Sequence, residues 1–199
     1  IFDVKEAIST WVKGWKTMII TVVILLLAWS LSAVIKELGT SRYLVDLLSS
    51  STPKFILPVA VFILGSFISF STGTSYGTMG ILMPLAIPLA YAVGKNYGLE
   101  GDAMHAYMIV NISGVLTGAI FGDHCSPISD TTILSSMGAG CNHIDHVSTQ
   151  MVYALSVCAV CVLVGYLPVA LGLSVWIALP CGFLAIWALV RFVGKKVEA

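Results

Sequence analysis

The sequence predicts an all-α polytopic membrane protein that contains a re-entrant helical hairpin and a broken transmembrane helix. Of its 199 residues, 58% are hydrophobic and 10% are charged, against about 25% charged in an average soluble domain. Charged residues are absent from four stretches, residues 17–35, 55–94, 103–122 and 147–190. Each stretch is long enough to cross a hydrocarbon core of about 30 Å, which excludes an ordinary soluble domain.

The balance of charges and cysteines excludes two further classes of protein. Ten Lys and Arg residues offset ten Asp and Glu residues, so the chain lacks the basic excess that nucleic-acid binding requires. The five cysteines are an odd number, and three of them lie in apolar stretches, so no disulfide framework is implied. The first residue is Ile, and the opening segment does not resemble a cleavable signal peptide. We expect the chain to be one part of a longer polypeptide.

Two elements are predicted at the start of the chain. Residues 1–16 are expected to form an amphipathic helix in the membrane interface, because Trp11 and Trp15 lie near helical spacing with lysines between the apolar residues. Residues 17–38 are an uninterrupted apolar segment followed by Gly39, a residue that commonly follows a helix end. They predict the first transmembrane helix.

A hairpin is predicted at residues 53–94. The forty charge-free residues from 55 to 94 would measure about 60 Å as one helix, roughly twice the membrane core. The chain must therefore break or turn back. The segment SFSTGTSYGTMG, residues 69–80, is rich in glycine and hydroxyl residues, which permit an unwound backbone where protein or water covers it. We expect a re-entrant hairpin with limbs at 53–68 and 79–94 and a polar tip.

A broken transmembrane helix is predicted at residues 103–140. The segment GDHCSPISDTT, residues 122–132, interrupts its apolar sequence. Pro127 has no N–H group to donate, and either Ser129 or Asp130 can cap the second half-helix.

The chain is expected to close with two transmembrane helices, at residues 147–167 and 173–191, and a basic tail at 192–199. If the hairpin turns back and the broken helix crosses the membrane, both ends of the chain lie on one side. That side would hold six Lys and Arg residues against four on the other, a bias that favours cytoplasmic ends.

Asp123 and Asp130 are the acidic residues that lie within apolar surroundings. A carboxylate inside a membrane is costly unless it is neutralised or paired, and since no Lys or Arg is near in sequence, a proton or small cation is the expected partner. Asp123 follows a helix C-terminus, which disfavours negative charge, whereas Asp130 begins a helix, where negative charge is favoured. We predict that Asp123 exchanges a proton and that Asp130 is a permanent anion, a helix cap or both. Asp130 is also a candidate ligand for the cation. Alternatively, residues 122–130 form a surface loop in which Asp130 is an ordinary N-cap.

Neutral oxygen ligands for Na⁺ are expected from the two polar segments. The candidates are Ser71, Thr72, Thr74 and Ser75 of the hairpin tip and Ser126, Ser129, Thr131 and Thr132 of the break. His124 is a candidate proton relay beside Asp123, because histidine titrates near neutral pH. No cofactor is required for this chemistry.

A metal site and a purely structural role are two alternatives to a cation site. The segment CNHIDH, residues 141–146, offers Cys141, His143, Asp145 and His146 as metal ligands. Its spacing matches no standard zinc pattern, and a turn that caps the next helix explains it equally well. A non-transporting membrane scaffold, in which the aspartates serve assembly alone, is a further alternative.

The segment from Gly73 to Gly77 fits the G-x-S-x-G nucleophile elbow of serine hydrolases. That elbow requires a strand before the serine and a helix after it, whereas an apolar membrane limb precedes Ser75. An intramembrane serine hydrolase that uses Ser75 with His124 or His146 is therefore a remote alternative.

Three long segments resemble NhaC-type sodium/proton antiporters of the ion-transporter superfamily. They are FISFSTGTSYGTMGILMPLAIPLA at 67–90, GAIFGDHCSPISDTTILSS at 118–136 and HVSTQMVYAL at 146–155. The resemblance runs from about residue 15 to residue 167 and looks like the C-terminal half of such a transporter. It implies secondary active Na⁺/H⁺ antiport by alternating access, in a fold of two inverted repeats of which this chain is one transporter repeat.

The resemblance also implies partners, a location and a second choice of substrate. The expected partners are Na⁺, H⁺, the lipid bilayer and the remaining half of the transporter, with a homodimer as a further expectation. The expected location is the bacterial cytoplasmic membrane. Because relatives in this family also couple Na⁺ to organic acids such as malate and lactate, or to amino acids, a Na⁺-coupled organic acid or amino acid transporter is the alternative function.

Overall fold

The computed structural model describes residues 3–194, without the side chains at positions 17, 18, 20, 21, 24, 25, 28, 32, 36 and 41. These residues form helices joined by short connections, which confirms the predicted all-α fold. In chain order the helices are α1 (Val4–Glu37), α2 (Thr40–Leu48), α3 (Leu57–Thr72), α4 (Ser75–Asn96), α5 (Gly101–Cys125), α6 (Asp130–Ala139), α7 (His143–Ala170) and α8 (Val175–Phe192). Helix α7 contains a π-helical stretch at Cys161–Tyr166.

Helix α1 joins two segments that the sequence analysis treats separately. One continuous helix covers residues 4–37, because residues 13–18 contain no proline and Gly14 is not in a left-handed conformation. At 1.5 Å per residue it measures about 51 Å, longer than a membrane core. The interfacial position of residues 1–16, of which 1 and 2 lie outside the description, stays a prediction. Helix α2 is an element that the sequence analysis does not predict.

Four of the described helices, α4, α5, α7 and α8, are long and apolar enough to cross a membrane. Together with the exposed apolar side chains of α7 and α8, they support an integral membrane protein. The predicted span at 147–167 lies within α7, and all but the first two residues of the predicted span at 173–191 lie within α8. The predicted span at 17–38 falls almost wholly within α1, several of whose side chains are not described. The basic tail lies outside the description after residue 194.

Helices α3 and α4 form a hairpin with a very short turn. Only Gly73 and Thr74 separate them, so most of the polar segment 69–80 is helical rather than unwound. Gly73 takes the left-handed conformation, with φ 67°, and the Thr74 side chain accepts the N–H of Gly77 at 3.4 Å. A C-cap glycine followed directly by an N-cap threonine thus makes the turn.

The core of the fold lies between α3, α4 and α5. Its buried apolar residues are Leu57, Val61, Leu82, Ala86, Leu89, Ala90, Val93, Tyr107 and Val115. Helices α1 and α2 pack against α4, and α7 packs against α5, α6 and α8. Tyr166, at the end of the π-helical stretch, joins α7 to α3 and α5. Its ring lies 5.1 Å from that of Phe62, and its hydroxyl is hydrogen bonded to Thr117.

Small residues let α5 pack closely on α3. Gly114, Gly118 and Gly122 recur every fourth residue and face the α3 backbone, where a Cβ atom at Gly118 would overlap the carbonyl oxygen of Phe62. This is the small-xxx-small arrangement of close membrane-helix packing. The facing α3 residues also advance by four, so the two helices run parallel and their C-terminal ends lie side by side.

We expect Gly118→Ala to lower the free energy of unfolding by about 2 kcal/mol or more, because the added methyl group meets backbone atoms that cannot rotate away. Thermal unfolding of the purified full-length protein in detergent measures this effect. The matched control is Gly182→Ala in α8, where an added Cβ has nothing within 4 Å and helix propensity favours Ala. Equal melting temperatures for Gly118→Ala and the unchanged protein would contradict the close packing.

Candidate cation-binding site

Four helix ends meet at Asp123: the C-termini of α3 and α5 and the N-termini of α4 and α6. The Asp123 carboxylate is partly buried. Ser75, the first residue of α4, donates its hydroxyl to Oδ2 at 3.0 Å. Ser129, the residue before α6, donates its hydroxyl to Oδ1 at 2.6 Å. The carboxylate is therefore held between the starts of two helices, with one hydroxyl on each oxygen.

The turn of the hairpin touches the break between α5 and α6. The hydroxyl of Ser126, which is completely buried, donates to the carbonyl oxygen of Phe70 at 2.7 Å. Gly73 lies against Ile128, and a Cβ atom at Gly73 would be 2.9 Å from the Ile128 carbonyl oxygen. These contacts bring together the two polar segments that the sequence analysis singles out, although they are about fifty residues apart.

Ser129 is the N-cap of α6. Its hydroxyl accepts the N–H of Thr131 at 3.2 Å and lies 2.8 Å from the Thr131 hydroxyl. Asp130 is the first residue of the helix, and its exposed carboxylate makes no hydrogen bond or salt bridge to a described residue. Of the two caps that the sequence leaves open, the structure therefore uses Ser129, and Asp130 adds negative charge at the helix N-terminus, where it is favoured.

The other predicted ligands are spread around the site. Thr74 caps α4, and the buried Thr132 donates to the carbonyl oxygen of His124 at 3.1 Å. Ser71 and Thr72 are exposed, and each donates to a carbonyl oxygen of the preceding turn of α3. The structure thus brings Asp123, Ser75 and Ser129 into direct contact, with Thr131 as a neighbour, but it does not bring Ser71 or Thr72 to the carboxylate.

A serine-hydrolase site and a metal site find little support in this geometry. Helix α3, rather than a strand, precedes Ser75, and the described partner of its hydroxyl is Asp123, so the segment is not arranged as a nucleophile elbow. Among the described residues, no group of three or more His, Cys, Asp or Glu side chains is placed to hold a metal ion. His143, a candidate ligand in the sequence analysis, instead contacts Pro127 and Ser136.

Helix α7 contributes two residues whose role the sequence analysis misses. Gln150 donates its amide Nε2 to the carbonyl oxygen of His124 at 2.8 Å, and this nitrogen also lies 2.9 Å from Nε2 of the His124 ring. Nε2 of His143 lies 2.7 Å from the carbonyl oxygen of Pro127. The available signal is the spacing of His143, His146 and Gln150, which places polar side chains along one face of an apolar helix.

Comparison with known proteins decides the family. The sequence model of the Na⁺/H⁺ antiporter family matches residues 1–171. The chain belongs to this family. The resemblance to sodium/proton antiporters is thereby confirmed, and membership of this family points to a transporter rather than an enzyme.

Of three curated relatives that match the chain, two are named as antiporters. The chain is 43% identical over 172 residues to an uncharacterised protein of Haemophilus influenzae, covering 86% of this chain and 31% of that protein. It is 32% identical over 101 residues to an uncharacterised Na⁺/H⁺ antiporter of the same organism, covering 51% of this chain and 19% of the relative. It is 32% identical over 96 residues to the malate-2H⁺/Na⁺-lactate antiporter of Bacillus subtilis, covering 48% and 18%. The chain spans less than a third of the length of these curated relatives, and no solved structure matches it.

We expect Gly73→Ala to destabilise the protein more than Gly140→Ala does. Both glycines follow a helix in the left-handed conformation, with φ 67° and 64°, so each substitution costs about 1 kcal/mol of backbone strain. An added Cβ at Gly73 also meets Ile128 of the break, whereas nothing lies within 4 Å at Gly140. The difference between the two free energies of unfolding, expected to be about 1–3 kcal/mol, measures the contact between turn and break. Equal effects would mean that this contact contributes nothing.

Proposed function

We propose that the chain is part of a secondary active transporter that exchanges Na⁺ for H⁺, and that Asp123 binds the two ions in turn. The observation that carries this proposal is the Asp123 carboxylate, held at four helix ends by the hydroxyls of Ser75 and Ser129. These partners are neutral. Within the described part of the chain, the one salt bridge joins Lys95 to Glu100 on the surface, well away in sequence from Asp123.

The chemistry follows from the needs of a carboxylate in apolar surroundings. Such a group is strongly favoured to bind a proton or a cation. When the proton leaves, the carboxylate oxygens and the lone pairs of the Ser75 and Ser129 hydroxyls form a set of hard oxygen donors, the kind that suits Na⁺. Since both ions need the same carboxylate, they compete for it, and that competition couples their movements.

The four helix ends suit a site whose charge alternates. The N-termini of α4 and α6 carry partial positive charge and favour the ionised carboxylate, whereas the C-termini of α3 and α5 carry partial negative charge and favour a cation. We propose Thr131 as a further neutral ligand and Asp130 as a permanent negative charge that attracts cations. We also propose His124, whose exposed ring contacts Gln150 of α7, as the relay that exchanges the proton with solvent.

The rest of the proposal follows from the family. We infer that the remaining half of the transporter packs against this chain in an inverted repeat and that alternating access exposes Asp123 to each side in turn. We further propose a location in the bacterial cytoplasmic membrane and a homodimer as the assembly.

We expect Asp123→Asn in the full-length transporter to abolish Na⁺-dependent proton movement. An amide side chain neither takes up and releases a proton near neutral pH nor carries the negative charge that holds Na⁺. Proton movement into or out of vesicles, followed with a pH-sensitive dye on addition of Na⁺, measures the effect. The matched control is Asp102→Asn, the same chemical change at an exposed position in the first turn of α5, and it should retain exchange. Near-normal exchange by Asp123→Asn would remove Asp123 from this role.

A second candidate function is supported by the B. subtilis relative, whose name describes malate and lactate as substrates. The same vesicle assay distinguishes the two functions when it is run with Na⁺ alone and then with malate, lactate or amino acids added. Exchange that is complete with Na⁺ alone supports Na⁺/H⁺ antiport. Exchange that appears only with an organic substrate supports the alternative.

A further inference from the structure

Helix α7 contacts the backbone both before the break and inside it. Gln150 donates to the carbonyl oxygen of His124, in the last turn of α5, and His143 lies 2.7 Å from the carbonyl oxygen of Pro127, inside the break. Carbonyls at the end of a helix lack partners within it. In apolar surroundings these carbonyls, like those of the break itself, must find partners elsewhere, and α7 supplies one partner to His124 and one to Pro127.

The His143 ring is fixed at both of its nitrogens. Nδ1 lies 3.0 Å from the hydroxyl oxygen of Ser136, a buried residue of α6, and Nε2 faces Pro127. Because a carbonyl oxygen can only accept a hydrogen bond, Nε2 must carry the hydrogen. The position of the ring is also set by its own helix, since Asn142 caps α7 by accepting the N–H of Ile144 at 2.9 Å.

The Pro127 carbonyl that His143 contacts is close in sequence to Ser129, which binds Asp123. Pro127 is two residues before Ser129, whose hydroxyl donates to Asp123 at 2.6 Å. The break between α5 and α6 consists of four residues, 126–129, so a rotation of the Pro127 peptide would move the Ser129 hydroxyl. The ring of His143 reaches neither oxygen of Asp123 within hydrogen-bond distance, and it can act on the site only through the break.

We propose that His143 is a positioning residue that fixes the break through the Pro127 carbonyl and thereby sets the affinity of the Asp123 site for Na⁺. This inference rests on the proposed function. It assigns to α7 a part in setting the Na⁺ affinity that does not depend on direct contact with the ion. Its consequence is a specific requirement for a hydrogen-bond donor at the position of the histidine Nε2 atom.

Two amide substitutions test this requirement in the full-length transporter in vesicles. In His143→Gln the amide nitrogen can stand near the position of Nε2 and donate to Pro127, whereas in His143→Asn it reaches only the position of Nδ1. We expect the half-saturating Na⁺ concentration to stay within about threefold of the unchanged protein for Gln and to rise roughly tenfold for Asn. The maximal rate per folded transporter should change little in either. The matched control is His105→Asn, at an exposed position on α5 about 27 Å along the helix from Asp123.

Three results would overturn the proposal. The first is an unchanged half-saturating Na⁺ concentration in His143→Asn, and the second is a tenfold rise in His143→Gln. The third is a loss of maximal rate in both variants without a shift in half-saturation, which indicates a merely structural role. If His143→Asn does not fold, two measurements on His143→Gln decide. Its half-saturating Na⁺ concentration and its amide hydrogen exchange at residues 128–133 should both match the unchanged protein.

The outcome for His143 can be told apart from failure of the proposed function. If the unchanged transporter shows no Na⁺-dependent proton movement, the proposed function itself fails. If it exchanges the two ions and Asp123→Asn does not, but His143→Asn behaves like the unchanged protein, only the role of His143 is refuted.

Discussion

A helix that is interrupted in apolar surroundings must find a partner for each backbone group that the interruption frees. In this protein the break between α5 and α6 meets that constraint with side chains from α6, from α7 and from the break itself. Thr132 and Gln150 donate hydrogen bonds to the His124 carbonyl oxygen. Nε2 of His143 donates to the Pro127 carbonyl oxygen, and Ser129 caps α6. Ser129 also donates to Asp123, so one of the groups that stabilise the break also holds the carboxylate.

The glycines of α5 decide where that break lies relative to the hairpin. Gly114, Gly118 and Gly122 allow α5 to run parallel to α3 at close range, so both helices end at the same level. The turn at Gly73 and Thr74 then lies beside the break, and the start of α4 faces Asp123. A bulkier residue in this stripe would separate the two polar segments. The packing of apolar helices is therefore a condition for the chemistry of the site.

The sequence is sufficient to predict the positions of both interruptions, because glycine, proline and hydroxyl residues stand out against an apolar background. It is not sufficient to predict which hydroxyls face Asp123. Ser71 and Ser75 are equally plausible from the letters, yet Ser71 bonds to its own helix and Ser75 begins the next one. That choice depends on the exact residue at which the turn occurs. The spacing of His143, His146 and Gln150 marks a polar face of α7, but it does not show that His143 contacts the Pro127 carbonyl sixteen residues away.

The central claim is that one carboxyl group, that of Asp123, exchanges a proton for Na⁺. Na⁺-induced infrared difference spectroscopy of the purified full-length transporter tests it most directly, because the carbonyl stretch of a protonated carboxylic acid is separate from the bands of a carboxylate. We expect Na⁺ to replace a carboxylic acid band with carboxylate bands in the unchanged protein, and we expect this change to be missing in Asp123→Asn. A Na⁺-induced loss of the acid band that persists in Asp123→Asn would contradict the account.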